Sequence, residues 1–152
     1  MTMVRPRVYV DTSVVGGCLD DDFSEESNAL FENARRGELT IVVSDLLLEE
    51  LARAPEKVRE ILLGLPGECV EEIGQSAVSR NLCQAYLDAG VVSRQSANDA
   101  HHVALATMAR VDVIVSWNFK HIVHFDIIRL FNAVNLREGY PMIDIRSPRE
   151  VV

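Results

Sequence analysis

The chain has 152 residues, of which 48% are hydrophobic and 25% charged, and its formal net charge is −8 at pH 7. This length suffices for one domain with a real core, and no apolar run approaches the length of a membrane span. The acidic charge disfavours nucleic-acid attraction through the overall field, because phosphate binding draws on Lys and Arg. A nucleic-acid substrate would need a local offset: a divalent cation, a basic partner chain, or the pairs Arg5/Arg7 and Arg35/Arg36.

The cysteines and the first residues indicate the compartment. Cys18, Cys69 and Cys83 are odd in number and form no CxxC pair, which is typical of a reducing cytoplasm rather than a disulfide framework. The first six residues, Met-Thr-Met-Val-Arg-Pro, lack the apolar core of a secretory signal. We therefore expect a cytoplasmic protein that forms a single domain over residues 1–152.

Short β-like runs alternate with longer helical ones along the chain, a pattern that predicts a mostly parallel sheet covered by helices. The predicted strands are 7–10, 40–44, 68–73, 111–116 and 142–145, the third of them weak and towards an edge. The predicted helices are a short one within 12–22, one from Ser24 to Gly37, and then 45–53, 56–63, 75–89, 96–110 and 127–137. Residues 117–126 are expected to form a loop.

Asp11 ends the apolar run Val8-Tyr9-Val10, so a carboxylate follows directly on a predicted strand. In an open α/β sheet, ligands bind at the carboxyl ends of the strands. An aspartate at a strand-to-helix turn is also a common helix N-cap. This stretch alone leaves both interpretations open.

Further acids fall at element ends or on otherwise apolar helix faces. Glu50 follows the second predicted strand by six residues, and Asp99 lies in the first turn of its helix, where an acid is favourable in any case. His102, three residues after Asp99, shares its side of the helix, and we expect it to orient Asp99 or pack beside it. Each acid alone has a structural explanation. Together, converging carboxylates would repel one another unless a cation neutralised them, and Mg²⁺ prefers such oxygen ligands.

The order of these motifs resembles the PIN domain, and within it the VapC-type toxin nucleases of toxin–antitoxin pairs. The matching segments are Val-Tyr-Val-Asp11-Thr-Ser, Ser44 followed by Glu50-Leu51, Asn98-Asp99-Ala-His-His102-Val-Ala-Leu-Ala, and Asp112-Val-Ile-Val-Ser116-Trp117-Asn118. The resemblance covers nearly the whole chain. It implies a three-layer α/β/α sandwich and a Mg²⁺- or Mn²⁺-dependent endoribonuclease acting on RNA. It also implies a homodimer and an antitoxin partner that blocks the site.

By this resemblance, Asp11, Glu50 and Asp99 match the family's main metal-binding acids. The chain departs from the pattern at Asn118, where many PIN domains carry an aspartate. An amide oxygen can hold a metal or its water but brings no charge, so a second ion would bind more weakly. Asp112 precedes its strand and is expected at the other end of the sheet.

Several other side chains could serve the site or only the fold. Thr12, Ser13 and Ser116 could hydrogen-bond metal waters or cap turns, and Trp117 could stack on a base or anchor a loop. Phosphates could contact a further group of residues: Lys120, His121 and His124. The rival interpretation of the whole chain is a catalytically weak or inactive PIN-like domain that binds RNA or protein.

Overall fold

The computed structural model describes residues 5–152, and the first four residues, which the single-domain prediction includes, lie outside the described residues. Within 5–152, five parallel strands form one sheet in the order β3-β2-β1-β4-β5. Their bounds are β1 Arg7–Val10, β2 Thr40–Ser44, β3 Val70–Ile73, β4 Val113–Val115 and β5 Ile145–Arg146.

Helices cover both faces of this sheet. Their bounds are α1 Thr12–Gly17, α2 Ser24–Arg35, α3 Asp45–Leu51, α4 Glu56–Leu63, α5 Ala77–Asp88, α6 Ala97–Met108 and α7 Phe125–Arg137. Within residues 5–152, no helix is both long and apolar enough to span a membrane.

The central strands are buried on both faces, and alternate side chains enter two separate cores. Tyr9 points into a core shared with α5, α6 and α7, whereas Val8 and Val10 point into one shared with α1, α2, α3 and α4. Period-two alternation along a strand produces this division. The predicted three-layer α/β/α sandwich is confirmed.

The predicted elements agree with the structure except near the chain's end. The strand predicted at 142–145 is found at Ile145–Arg146. The side chain of Asn132 explains the shift, because its Oδ1 accepts from the Ile143 N–H at 2.7 Å and its Nδ2 donates to the Ile143 carbonyl at 3.1 Å. Both backbone groups of Ile143 are thus bonded to α7, and the residue joins no ladder.

The strand order reverses beside β1. The chain passes from β1 to β2 and β3 on one side, and then to β4 and β5 on the other. Crevices at such switch points, outside the carboxyl ends of the strands, are where open α/β sheets bind ligands. Asp11 follows β1 and Ser116 follows β4, so both lie at this point.

Gly17 allows α1 to approach Trp117. A Cβ at Gly17 would lie 2.6 Å from Oγ of Ser27 and 2.7 Å from Nε1 of Trp117, two atoms that hydrogen-bond to each other at 2.8 Å. We expect Gly17→Ala to lower the free energy of unfolding by roughly 1–3 kcal/mol, the usual cost of overpacking. Gly16→Ala is the matched control, since no heavy atom lies within 4 Å of its Cβ position. Urea denaturation of both variants checks this, and equal stabilities would contradict it.

Candidate functional site

The carboxylate of Asp11 is 4% exposed and lies at the centre of the switch point. It caps α1 by accepting from the Val14 N–H at 3.3 Å. It also accepts from two hydroxyl groups, Oγ of Ser13 on Oδ1 and Oγ of Ser116 on Oδ2, each at 2.6 Å. Capping, one of the two alternatives left open by the sequence, is therefore observed, and the same carboxylate is also hydrogen-bonded to the ends of two strands.

The two serines join the ends of neighbouring strands. Oγ of Ser13 also accepts from the Trp117 N–H at 2.9 Å, and Oγ of Ser116 accepts from the Asn118 N–H at 2.9 Å. Each hydroxyl thus receives a backbone hydrogen bond and donates to Asp11. The orientation of this carboxylate is fixed from both β1 and β4.

Glu50 reaches the same end of the sheet from the last turn of α3, a helix that Ser44 begins by accepting from the Leu47 N–H at 3.2 Å. Oε1 of Glu50 accepts from Oγ1 of Thr12 at 2.9 Å and from Nε2 of His102. Within the described chain no hydrogen bond reaches Oε2.

The neighbouring Glu49 is exposed and bonds to Gln75 instead, so only the second of the two glutamates faces the site.

Asp99 is half-buried in the first turn of α6. Burial raises its pKa, and the charges of Asp11 and Glu50 raise it further, against the influence of His102 and His121. The three acids therefore lie close enough to repel one another. The structure places the three predicted acids at the same end of the sheet, where the charges of Asp11 and Glu50 act on Asp99.

The other two acids differ in their ease of ionisation. Burial raises the pKa of Asp11, despite the nearby His102 and the hydrogen bonds from Ser116 and Ser13. Burial also acts to raise the pKa of Glu50, but the hydrogen bond and charge of His102 and the bond from Thr12 outweigh it, and the pKa is lowered. Glu50 is thus held as an anion, whereas ionised Asp11 and Asp99 lack full compensation.

This donor set is of the type that a hard divalent cation prefers, because it consists of carboxylate oxygens around an uncompensated negative charge. Across residues 5–152, however, no group of three or more His, Cys, Asp or Glu side chains is arranged so that it could hold a metal ion. The donor atoms are therefore of the kind that a divalent cation binds. For all three acids to bind one ion, they would have to move closer together.

Asn118 organises the turn after β4. Its Oδ1 accepts from the backbone N–H groups of Lys120 at 3.2 Å and His121 at 2.9 Å. This turn brings His121 near Asp99, and His121 acts against the rise in the pKa of Asp99. The amide oxygen considered for a metal or its water is therefore already used by two backbone donors.

Three further side chains in or near these motifs have structural partners. Trp117 is buried and stacked on Phe23, with ring centroids 4.3 Å apart, so it is a loop anchor rather than a platform for a base. His101 is buried against Ser79, 2.9 Å away. Asp112 accepts from the Arg7 N–H at 2.7 Å at the start of β1, the opposite end of the sheet from Asp11, as predicted.

Three of the four arginines in the basic pairs form ion pairs away from the site. Arg7 pairs with Glu71 across the start of the sheet, and Arg35 and Arg36 both pair with Glu32 on α2. The carboxylate partners of these three arginines are thus glutamates outside the candidate site.

The link between Tyr9, His102 and Glu50 was not predicted from the sequence. The ring of His102 bonds to Glu50 and to the hydroxyl of Tyr9, 2.6 Å from Nδ1, and its expected role of orienting Asp99 by contact is not seen. One signal was present, because a tyrosine within a fully buried strand needs a hydrogen-bond partner for its hydroxyl.

A family model described as the PIN domain matches residues 7–120, a range that contains Asp11, Glu50, Asp99 and Asn118. The chain belongs to the PIN domain family. PIN domains are generally nucleases and typically use divalent metals, so the resemblance noted in the sequence is confirmed at the level of the family.

Solved structures agree with this assignment in fold. One similar chain comes from a crystal structure of VapBC2 from Rickettsia felis bound to a DNA fragment from their promoter. The match has a TM-score of 0.58 and 17% identity, and covers 93% of this PIN domain and 98% of that chain. No curated protein matches the sequence.

Proposed function

We propose that this PIN domain is a divalent-metal-dependent endoribonuclease and the toxin of a type II toxin–antitoxin pair. Asp11, Glu50 and Asp99 would hold Mg²⁺ or Mn²⁺, directly or through water. The observation that supports the proposal is that three acids from separate elements lie at one end of the sheet, within range of one another's charges. Burial and the charges of Asp11 and Glu50 raise the pKa of Asp99, and a bound cation would relieve the repulsion between these acids.

The chain's own residues would prepare this site in three ways. Ser13 and Ser116 hold the Asp11 carboxylate in place, and Thr12 and His102 engage one oxygen of Glu50, leaving Oε2 for the ion. When bound, the cation supplies activation of the attacking water and stabilisation of the leaving oxygen. No protein nucleophile is required.

The negative net charge of the chain limits how it could bind RNA. A net charge of −8 repels a polyanion, and Arg7, Arg35 and Arg36 form ion pairs elsewhere. The local positive groups at the site would be the cation and the exposed Lys120 of the Asn118 turn. RNA binding should therefore depend on the divalent ion more than on general electrostatic attraction.

An antitoxin partner is supported by the fold match to a chain from a VapBC2 structure. The name VapBC2 belongs to the Rickettsia protein, and a partner of this kind for the present chain is part of our proposal. The homodimer and the cytoplasmic location expected from the sequence stay predictions.

The function can be tested by incubating the purified protein with structured and unstructured RNA in Mn²⁺ or in EDTA. Cleavage confined to the Mn²⁺ samples is expected. Absence of cleavage with every divalent ion would contradict the nuclease and favour the rival, a PIN domain that only binds RNA or protein. The use of the Asn118 oxygen by two backbone donors is the observation that favours this rival.

Asn118→Asp separates a weak nuclease from an inactive one. A carboxylate can accept the same two N–H bonds, so the turn is preserved, and it adds the charge that Asn118 lacks. We expect cleavage at limiting Mn²⁺ to increase by about tenfold, since a gain of about 1.4 kcal/mol in transition-state stabilisation has this effect. Initial rates over a Mn²⁺ titration measure it. Lower or unchanged rates would show that the fourth position contributes no ligand.

A further inference from the structure

A continuous chain of hydrogen bonds runs through the buried layer between the sheet and α6. Oγ of Ser44 lies 2.7 Å from the hydroxyl of Tyr9, which lies 2.6 Å from Nδ1 of His102. Nε2 of His102 bonds to Oε1 of Glu50. Ser44 and Tyr9 are fully buried and His102 is 2% exposed. Polar side chains thus pass through a region that is otherwise an apolar core.

The direction of this chain follows from the chemistry of its last member. A carboxylate only accepts hydrogen bonds, so Nε2 of His102 donates to Glu50. The Tyr9 hydroxyl bonds to the other ring nitrogen, so the ring is held at both of its polar atoms. Thr12, the first residue of α1, donates to the same oxygen of Glu50. One oxygen of the carboxylate is therefore fixed by two donors.

We propose that Tyr9 and His102 are positioning residues that hold the Glu50 carboxylate in the orientation needed to bind a divalent cation through Oε2. This inference rests on the proposed function, because it assumes that Glu50 is a metal ligand. It adds that affinity for the ion depends on two residues that do not themselves touch it. Groups that orient a metal-binding side chain commonly contribute about 10–100-fold to metal affinity.

A purely structural role would have a different signature. Burying a polar network costs stability unless every member is satisfied, so any replacement within it could destabilise the protein. The neighbouring His101 distinguishes the two roles. It is also buried and hydrogen-bonded on the same helix, but to Ser79, away from Glu50. It is the matched control for loss of stability without loss of orientation.

The experiment measures Mn²⁺ binding to the full chain by calorimetry, without RNA. We expect His102→Leu, which removes both ring nitrogens, to weaken Mn²⁺ binding by about 10–100-fold. His102→Gln retains an amide donor and should recover part of this loss. His101→Leu should lower the melting temperature and leave the Mn²⁺ dissociation constant unchanged.

Tyr9→Phe guards against a variant that fails to fold, because it removes one oxygen atom and keeps the buried ring. We expect it to weaken Mn²⁺ binding by a smaller factor than His102→Leu. Wild-type affinity in both His102→Leu and Tyr9→Phe would overturn the proposal, as would an equal loss of affinity in His101→Leu.

Glu50→Gln distinguishes failure of the positioning role from failure of the proposed metal site. If Glu50→Gln weakens Mn²⁺ binding and His102→Leu does not, the metal site stands and the positioning role is wrong. If neither Glu50→Gln nor wild type shows specific Mn²⁺ binding, both proposals are overturned. If Mn²⁺ binding follows the expected order but RNA is not cleaved, the positioning role is supported and only the nuclease is lost.

Discussion

Asp99→Asn is expected to reduce Mn²⁺-dependent RNA cleavage by about 10³-fold, which corresponds to about 4 kcal/mol of transition-state stabilisation. Asp99 is the acid whose pKa is raised by burial together with the charges of both other acids. An amide at this position relieves that repulsion and removes a charged ligand. The variant should therefore fold at least as well as wild type while losing activity. Cleavage rates at saturating Mn²⁺, with a thermal melt of each protein, provide the measurement.

The matched control is Asp112→Asn. Asp112 lies at the opposite end of the sheet, where it accepts from the Arg7 N–H, and an amide oxygen can still accept that bond. This variant changes net charge by the same amount as Asp99→Asn but leaves the candidate site intact. Equal losses of activity in the two variants would mean that overall charge, rather than a ligand, is responsible. Retained cleavage in Asp99→Asn would remove that residue from the proposed mechanism.

The fold was predictable because its signals are local and consistent. Buried parallel strands give continuous apolar runs, as in Thr40–Ser44, and the helices between them carry clear apolar faces. The last strand was placed wrongly because its position depends on Asn132, which lies in α7 outside the apolar run and whose side chain hydrogen-bonds both backbone groups of Ile143. No local pattern reveals a contact of this kind.

The candidate site was predictable in its acids and not in their supports. Strand order and helix spacing place Asp11, Glu50 and Asp99 at one end of a parallel sheet, which is a matter of topology. The partners of each carboxylate depend on side-chain rotamers and on contacts between distant elements. Ser116 on Asp11 is 105 residues away in sequence, and His102 on Glu50 is 52 away. The spacing of His102 and Asp99 on one helix therefore predicted a contact between them, whereas His102 is hydrogen-bonded to Glu50.

Mg²⁺ is expected to stabilise the protein by about 2.7 kcal/mol at a hundredfold excess over its dissociation constant, and by about 4.1 kcal/mol at a thousandfold excess. The gain arises because the ion binds the folded site and not the unfolded chain. Asp11→Asn should lose most of this gain, since it removes a charged ligand. NaCl at matched ionic strength is the necessary control, because a chain of net charge −8 gains stability from any salt that screens repulsion.

The size of the Mg²⁺ effect should also depend on pH. Burial raises the pKa of Asp11 and, with neighbouring charges, that of Asp99, so these groups bind protons more tightly in the folded state. Their stabilising contribution is complete below the unfolded pKa and is lost as the pH rises through the folded pKa. A divalent cation compensates the ionised acids, so its stabilisation should be larger near about pH 7 than near about pH 4.

Thermal melts with and without Mg²⁺ at both pH values measure this difference. Taking the difference between paired samples removes the part of the Glu50 contribution that does not depend on the ion, which has the opposite sign because its lowered pKa makes its stabilisation disappear as the pH falls. It also removes that of His101, which burial keeps neutral. A Mg²⁺ shift that is equal at the two pH values, or equal in Asp11→Asn and wild type, would show that the ion acts on the acidic surface as a whole. In that case the convergence of the three carboxylates would be a feature of the fold without a metal.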